Sequence, residues 1–475
     1  MFDNIILNTD SYKASHYLQL PPGTEEQSSY IEARGSDRGW DKAVFFGLQA
    51  FLKEYLTKPV TLAMIDEAEQ FWATHGEPFN REGWLYILNA HEGYLPVEIR
   101  AVAEGTILPN GNVMVEVVNT DPECAWVTSY LETALLRAVW YPTAVATNSY
   151  FAKRAIWQAL LKSSEDPAGQ IAFKLHDFGA RGVSSQESAA LGGMAHLVNF
   201  SGTDTVAGAL AARRYYNEPM AGFSIPASEH STITSWGGPD GEEEAFRNML
   251  ARFAKPGSLV ACVSDSYDIY HAAEELWGSR LKKDVLESGA TLVVRPDSGD
   301  PLTVPVEVIS ILAGKFGYHL NALGYKVLNP AVRVIQGDGI TAESLPVILE
   351  NLMAAGFSAD NIAFGMGGGL LQQVNRDSLK FAMKCSALKV DGYWRDVFKD
   401  PVTDPGKRSK KGRLALVLEQ GEYKTIRRED RHAEQEDLLK TVFRDGRILK
   451  LYNLNEIRAR AGAEFEKVDE IKAVA

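Results

Sequence analysis

Cysteine is scarce in this chain: there are three in 475 residues, Cys124, Cys262 and Cys385, each alone in apolar surroundings. That argues against a disulfide framework or a zinc site and points to a reducing, cytoplasmic compartment. Long apolar runs are missing too. No stretch approaches the roughly 18 residues a membrane helix needs, and Met1-Phe2-Asp3-Asn4 lacks the basic start and apolar block of a secretory signal. Positive charge is in deficit, with 49 Lys and Arg against 62 Asp and Glu. Neither nucleic acid nor an anionic membrane is therefore an expected partner. What is present, 45% apolar and 23% charged residues, is the composition of a globular protein long enough for more than one core.

The first 120 residues read as α+β. The run S-S-Y-I-E-A-R alternates, residues 41 to 73 carry apolar side chains at helix spacing, and short strands from Leu95 to Val118 flank the turn P-N-G-N. Helical patterns cover Cys124 to Trp140 and about Thr147 to Lys162. From about residue 170, strands alternate with helices. The strand candidates are I-A-F-K-L-H from 171, H-L-V-N-F from 196, G-F-S-I-P from 222, S-L-V-A-C-V from 258, T-L-V-V from 291, V-R-V-I-Q from 332, N-I-A-F-G from 361 and F-A-M-K-C-S from 381. Helices are expected at Tyr267 to Trp277, Val304 to Phe316 and Ala342 to Ala355. Eight strands with intervening helices predict an irregular (β/α) barrel, whose chemistry belongs at the strand C-terminal ends.

Those ends read H-D-F-G-A-R-G, G-T-D-T, A-S-E-H-S-T, S-D-S-Y-D, R-P-D-S-G-D-P, Q-G-D-G and G-M-G-G-G. Any one acid beside Gly, Ser or Thr can be a helix cap, but six such ends and a glycine run, seven in a row on one rim, point to a site. His230, preceded by Glu229, supplies a nitrogen that titrates near neutrality and can act as nucleophile or base. In G-M-G-G-G the glycines let backbone N–H groups approach a phosphate, with Arg376 and Lys384 downstream, although a tight turn has the same signature. Asp297 and Asp338 suit ribose hydroxyls or the water around a divalent cation. Arg295 can reach a phosphate or stack on a flat ring, and Phe178 offers an aromatic face. The set suggests glycosyl transfer from a sugar phosphate to a planar base. The segment Lys399 to Arg413 adds six basic residues; such a run is either a solvated loop or a polyphosphate site.

These motifs together resemble the nicotinamide phosphoribosyltransferase family, type II phosphoribosyltransferases related to the nicotinate enzymes. The resemblance runs from T-D-S-Y-K at residue 9, through K-L-H-D-F-G-A-R-G-V-S-S-Q-E, G-T-D-T-V-A-G, P-A-S-E-H-S-T-I-T, V-S-D-S-Y-D-I-Y, R-P-D-S-G, V-I-Q-G-D-G and G-G-G-L-L-Q, to F-K-D-P-V-T-D-P-G-K-R-S-K-K-G-R. It implies that nicotinamide and 5-phosphoribosyl 1-pyrophosphate become nicotinamide mononucleotide and pyrophosphate in NAD salvage. Magnesium is the cofactor, and ATP is a co-substrate hydrolysed through a phosphohistidine at His230, with Glu229 and Asp265 beside it. The resemblance places nicotinamide at Phe178, Arg295, Asp204 and, from the other subunit of a homodimer with shared sites, Tyr12. Ribose and its phosphate match Asp297, Gly337, Asp338, Gly367, Gly368, Arg376 and Lys384; pyrophosphate or nucleotide phosphates match Arg34, Arg181 and Lys399. It implies no metal ligand by number. It also implies an irregular (β/α) barrel, residues 166–385, packed on an α+β sandwich domain built from 1–165 and 386–475. Ala261 and Ala382 depart from it, standing where better-known members have serine.

A carboxylate at Asp204 accepts from a carboxamide NH2 and repels a pyridine carboxylate, which favours nicotinamide over nicotinate. The alternatives are a nicotinate phosphoribosyltransferase, a sugar-phosphate lyase or aldolase, and a non-enzymatic binding protein. Against the lyase, the strand ends offer no lysine for a Schiff base except Lys384.

Overall fold

Short runs dense in Val, Leu, Ile and Ala with few polar interruptions belong to strands buried on both faces, as in a parallel sheet. The computed structural model, which describes residues 4–403 and 407–473, has such a sheet. Its strands are β1 (Leu175–Asp177), β2 (Gly202–Thr203), β3 (Leu259–Val263), β4 (Thr291–Arg295), β5 (Val332–Gln336) and β6 (Ile362–Met366). They lie in the order β2-β1-β6-β5-β4-β3, and every pairing is parallel. The extended segment 223–228 joins the two edges. Phe223 bridges Gly202 and Ala227 bridges Ala261, both in parallel sense, so the sheet closes into an irregular ring. Between strands run helices such as Glu242–Phe253, Val304–Phe316 and Ser344–Ala354.

The four strands β3 to β6 fall where the sequence predicts them, and the Val304–Phe316 helix matches the expected bounds. Three of the eight expected strands differ. Of I-A-F-K-L-H, Ile171 ends a short helix and only Leu175 and His176 enter β1. The run H-L-V-N-F is the end of the helix Gln186–His196 and the turn after it, with Leu197, Val198 and Phe200 buried. A short apolar run carries no period that separates buried helix from buried strand. The run from 381 is a strand, Ala382–Val390, but it pairs antiparallel with Thr24–Glu32 instead of joining the ring.

By contacts the chain divides into two compact units. One holds the ring and comprises Asn148–Ala212 and Pro219–Gln373. The other comprises Met1–Thr147, Arg213–Glu218 and Val374–Ala475. Its centre is an antiparallel sheet of seven strands in the order Tyr393–Asp396, Ala382–Val390, Thr24–Glu32, Val113–Asn119, Val97–Ala101, Lys440–Arg444 and Arg447–Ile448. Strands from both ends of the chain thus share one sheet. The alternating burial of Val97–Ala101 shows one face on the core. The buried Glu116 is matched by Arg100 at 2.7 Å and by Arg428.

Candidate active site

Within the ring unit the strand C-terminal ends converge as the barrel rule requires. At the end of β1 the Phe178 N–H donates to the Met366 carbonyl at 3.0 Å, tying the chain to the end of β6. The ring then lies across two glycines. A Cβ built at Gly365 would stand 1.9 Å from Phe178 Cε2, and one at Gly337 would stand 3.3 Å from the same atom. Gly365, which the sequence offers as part of a phosphate loop, is therefore the floor beneath an aromatic ring. Asp177, fully buried, turns the chain by accepting from the Gly179 N–H at 2.7 Å. Burial pushes its carboxyl up to about 6, with the Gly179 N–H and the charge of His176 pulling the other way and Asp204 adding to the rise.

Asp204 follows β2. Its Oδ1 lies 3.0 Å from His176 Nε2 and accepts from Ser224 Oγ at 2.5 Å. Burial raises this carboxyl, but the hydrogen bonds from His176 and Ser224 and the charges of His176 and Arg295 outweigh it and hold the group below the ordinary aspartate value. Asp204 is thus an ionised acceptor, half exposed, at the mouth of the ring. His176 opens the rim motif H-D-F-G-A-R-G and Ser224 lies within G-F-S-I-P, but nothing in either motif ties it to Asp204; only the ring brings both to one carboxylate.

His230 opens the short helix His230–Thr234, and its Nε2 lies 3.0 Å from Asp265 Oδ1. A carboxylate can only accept, so Nε2 carries the hydrogen and Nδ1 of the neutral ring keeps its lone pair. The imidazole is 47% exposed while the Asp265 side chain is 3% exposed. Asp265 is fixed from its other side, where Oδ2 accepts from the Asp297 N–H at 3.0 Å and from Ser298 Oγ at 2.5 Å. Glu229 uses its carboxylate differently: it caps the helix at the Thr232 N–H and accepts from Ser231 Oγ. Burial pushes the Asp297 carboxyl up; Arg295 and His230 oppose this, and Asp265 and Asp338 add to it. Arg295 approaches Asp297 at 3.4 Å, and Asp338 is exposed on the neighbouring loop.

Gly367 and Gly368 follow β6, and Gly368 opens the short helix Gly368–Leu371. Nothing lies within 4 Å of a Cβ built at Gly368, and only the Phe178 carbonyl, at 3.6 Å, is near one at Gly367. Packing does not demand glycine there, and the backbone is open to a ligand. Arg181 is exposed on the turn after β1. Ala261 is buried in β3, where its N–H and carbonyl bond Pro226 and Ser228 to close the ring.

The remaining candidates lie in the other unit. Lys384 Nζ sits 4.0 Å from Glu132, and burial pulls its ammonium down, with Lys399, Arg34 and Lys13 adding to that against Glu132. Lys13 also pairs with Glu132. Arg34 donates from Nε to the Lys380 carbonyl at 3.0 Å, and Arg376 pairs with Asp377. Two cations share Glu132, and Lys399 and Arg34 lie close enough to repel Lys384, an excess of positive charge that suits a polyanion. Tyr12 is exposed and edge-on to His16 at 4.9 Å. In the basic run 399–413, residues 404–406 lie outside the described residues. Lys410 pairs with the buried Glu32, and Lys411 and Arg413 lie over Phe398 and Trp394. Arg408 pairs with Asp400, so at least four of the run's six basic residues are committed within the fold.

A model of the nicotinate phosphoribosyltransferase (NAPRTase) family matches residues 173–447, and one of the nicotinamide phosphoribosyltransferase N-terminal domain matches residues 4–99. A nicotinamide phosphoribosyltransferase of Xanthomonas campestris pv. campestris is 55% identical over 466 residues, spanning 97% of this chain and 98% of its own length. Another, of Acinetobacter baylyi, is 33% identical over 96% of this chain and 97% of its own. In fold the chain is similar to nicotinate-nucleotide pyrophosphorylase from Pyrococcus furiosus, with TM-score 0.63, 17% identity and coverage of 99% and 97%. It is also similar to human nicotinic acid phosphoribosyltransferase, with TM-score 0.57, 19% identity and coverage of 96% and 93%. The chain belongs to the nicotinate phosphoribosyltransferase family and is a phosphoribosyl-transferring enzyme, a pentosyltransferase.

Proposed function

We propose that this enzyme takes nicotinamide as its base, forming nicotinamide mononucleotide and pyrophosphate from 5-phosphoribosyl 1-pyrophosphate in NAD salvage, and that it couples the step to ATP hydrolysis through His230. The observation that carries the choice of base is Asp204, an acceptor held ionised at the ring mouth. It receives a hydrogen bond from a carboxamide and repels a carboxylate. Phe178, on its glycine floor, presents a flat face to the pyridine, with Arg295 alongside and Tyr12 of a second copy of the chain on the opposite face.

In the transfer, the pyridine nitrogen forms a bond to C1 of the ribose as the bond from C1 to the pyrophosphate oxygen breaks. Within the ring unit, Asp297, Gly337 and Asp338 hold the ribose, the open backbone at Gly367 and Gly368 receives its phosphate, and Arg181 meets the pyrophosphate; Arg34, Arg376, Lys384 and Lys399, in the other unit, are cations of the kind that bind phosphate groups. His230 Nδ1, with its lone pair set by Asp265, accepts the terminal phosphoryl group of ATP, ADP leaves, and water later releases phosphate. Glu229 contributes by capping the helix that presents His230. Asp297 and Asp338 would hold magnesium through their carboxylate oxygens: burial pushes the Asp297 carboxyl up, Asp265 and Asp338 add to it, and a cation there would favour the ionised form. When bound, it neutralises charge on the departing pyrophosphate. Among the described residues no helix is long and apolar enough to cross a membrane, and the unpaired cysteines suit the cytoplasm.

The test is a product assay with each base, with and without ATP. Mononucleotide formed from nicotinamide, increased by ATP, supports the reading. Product from nicotinate alone would overturn the base assignment, and indifference to ATP would overturn the coupling.

A further inference from the structure

We propose that His176 and Ser224 are positioning residues that set base specificity: together they occupy one oxygen of Asp204, leaving the other as the acceptor offered to the base. This rests on the nicotinamide reading above and deepens it. Each carboxylate oxygen has two lone-pair sites. Oδ1 is engaged by His176 Nε2 at 3.0 Å and Ser224 Oγ at 2.5 Å. Among the described residues Oδ2 has no such partner, and the side chain is 47% exposed on the mouth. The backbone adds a third constraint, because the Asp204 N–H donates to the Asp177 carbonyl at 2.9 Å.

The histidine is itself held by the ring. His176 pairs with Gly202 across β1 and β2, and a Cβ at Gly202 would stand 2.7 Å from Nδ1. The missing side chain lets the imidazole lie flat against the next strand with Nε2 directed at Asp204. Ser224 arrives from the segment that closes the ring, one residue after the Phe223 bridge. Two separate staves of the barrel therefore aim donors at the same oxygen. With both in place the carboxylate cannot rotate to share its charge, nor gain a proton easily. A protonated Asp204 would donate to a pyridine carboxylate and admit nicotinate, so the two donors work to keep that base out.

The experiment uses the full-length enzyme with phosphoribosyl pyrophosphate, magnesium and ATP. The kcat/KM ratio of nicotinamide to nicotinate is measured for wild type, His176→Phe, His176→Gln, Ser224→Ala and the Phe/Ala double variant. A hydrogen bond to a charged group contributes about 1.5–3 kcal/mol, or roughly ten- to a hundredfold. The ratio should fall by that order in His176→Phe and in Ser224→Ala. The change should lie in KM for nicotinamide more than in kcat. His176→Gln, whose amide nitrogen replaces Nε2 as donor, should recover most of the ratio. Unchanged thermal unfolding and unchanged binding of phosphoribosyl pyrophosphate show that each variant is intact. If wild type prefers nicotinamide yet the Phe and Ala variants keep its ratio, or if Gln lowers the ratio as far as Phe, the inference fails while the parent reading stands. If wild type itself prefers nicotinate, the parent reading fails first.

Discussion

Glu242 opens the helix Glu242–Phe253 and is 3% exposed, yet its Oε1 has no hydrogen-bond partner. Burial, and then the carboxylates of Asp265 and Asp268, push its carboxyl from the ordinary value of 4.5 up to about 7. The helix N-terminus favours the anion by up to about 2 kcal/mol in a buried setting, which burial and two like charges outweigh. The native protein thus holds this proton to higher pH than the unfolded chain does. The stability linked to it is fully present below about pH 4.5 and is lost as pH rises through 7. At about 1.4 kcal/mol for each pKa unit, the loss approaches about 3 kcal/mol above neutrality. Water admitted on ionisation lowers that figure, so it is a ceiling.

Glu242→Gln keeps the shape and removes the titration. In thermal or urea unfolding, variant and wild type should be similar near pH 5. By pH 8 the variant should be the more stable, by up to about 3 kcal/mol or on the order of 5 °C. An advantage that does not grow between pH 5 and pH 8 would show that the buried carboxyl is not held neutral, and the reasoning would be wrong.

Asp204→Asn should raise nicotinate use relative to nicotinamide by about a hundredfold, the scale of a like-charge contact of several kcal/mol; competition between the two bases in one reaction measures it. Gly365→Ala places a methyl 1.9 Å from the Phe178 ring. The ring must move, so KM for nicotinamide should rise at least about tenfold while the protein stays folded, on the usual cost of overpacking of about 1–3 kcal/mol. An unchanged KM would mean that the ring is not a binding face. His230→Ala should abolish ATP hydrolysis while the base and phosphoribosyl pyrophosphate still bind in calorimetry, and an ATPase unaffected by the change would remove His230 from the coupling.

Much of the architecture was legible in the chain alone. The strands β3 to β6 are short apolar runs bounded by Gly, Pro, Asp and Ser, and burial on both faces of a parallel sheet leaves little other reading. The chemistry-bearing residues at their ends were legible for the same reason, because a barrel gathers strand ends on one rim. The runs at 196 and 381 misled because their apolar residues are buried, as strands would bury them. Whether a segment becomes a helix end, a barrel stave or part of an antiparallel sheet depends on partners far away in sequence. Ala382–Val390 found its partner in Thr24–Glu32.

Residue identity by itself determined which groups were available: an imidazole, a set of carboxylates, aromatic and basic side chains, and glycines that leave backbone open. Tertiary structure alone decided how they are used. Asp265, which the resemblance already sets beside His230, is brought there by two loops that meet and bonds Nε2; Asp204 gained donors from β1 and from the closing segment, and Gly365 became the support of Phe178 where a phosphate turn was also a fair reading. The reason is one of range. Propensity and patterning act over a few residues, whereas a hydrogen bond or a ring contact is set within about 3–4 Å, and only closure of the ring brings residues 176, 204 and 224, or 178 and 365, that close.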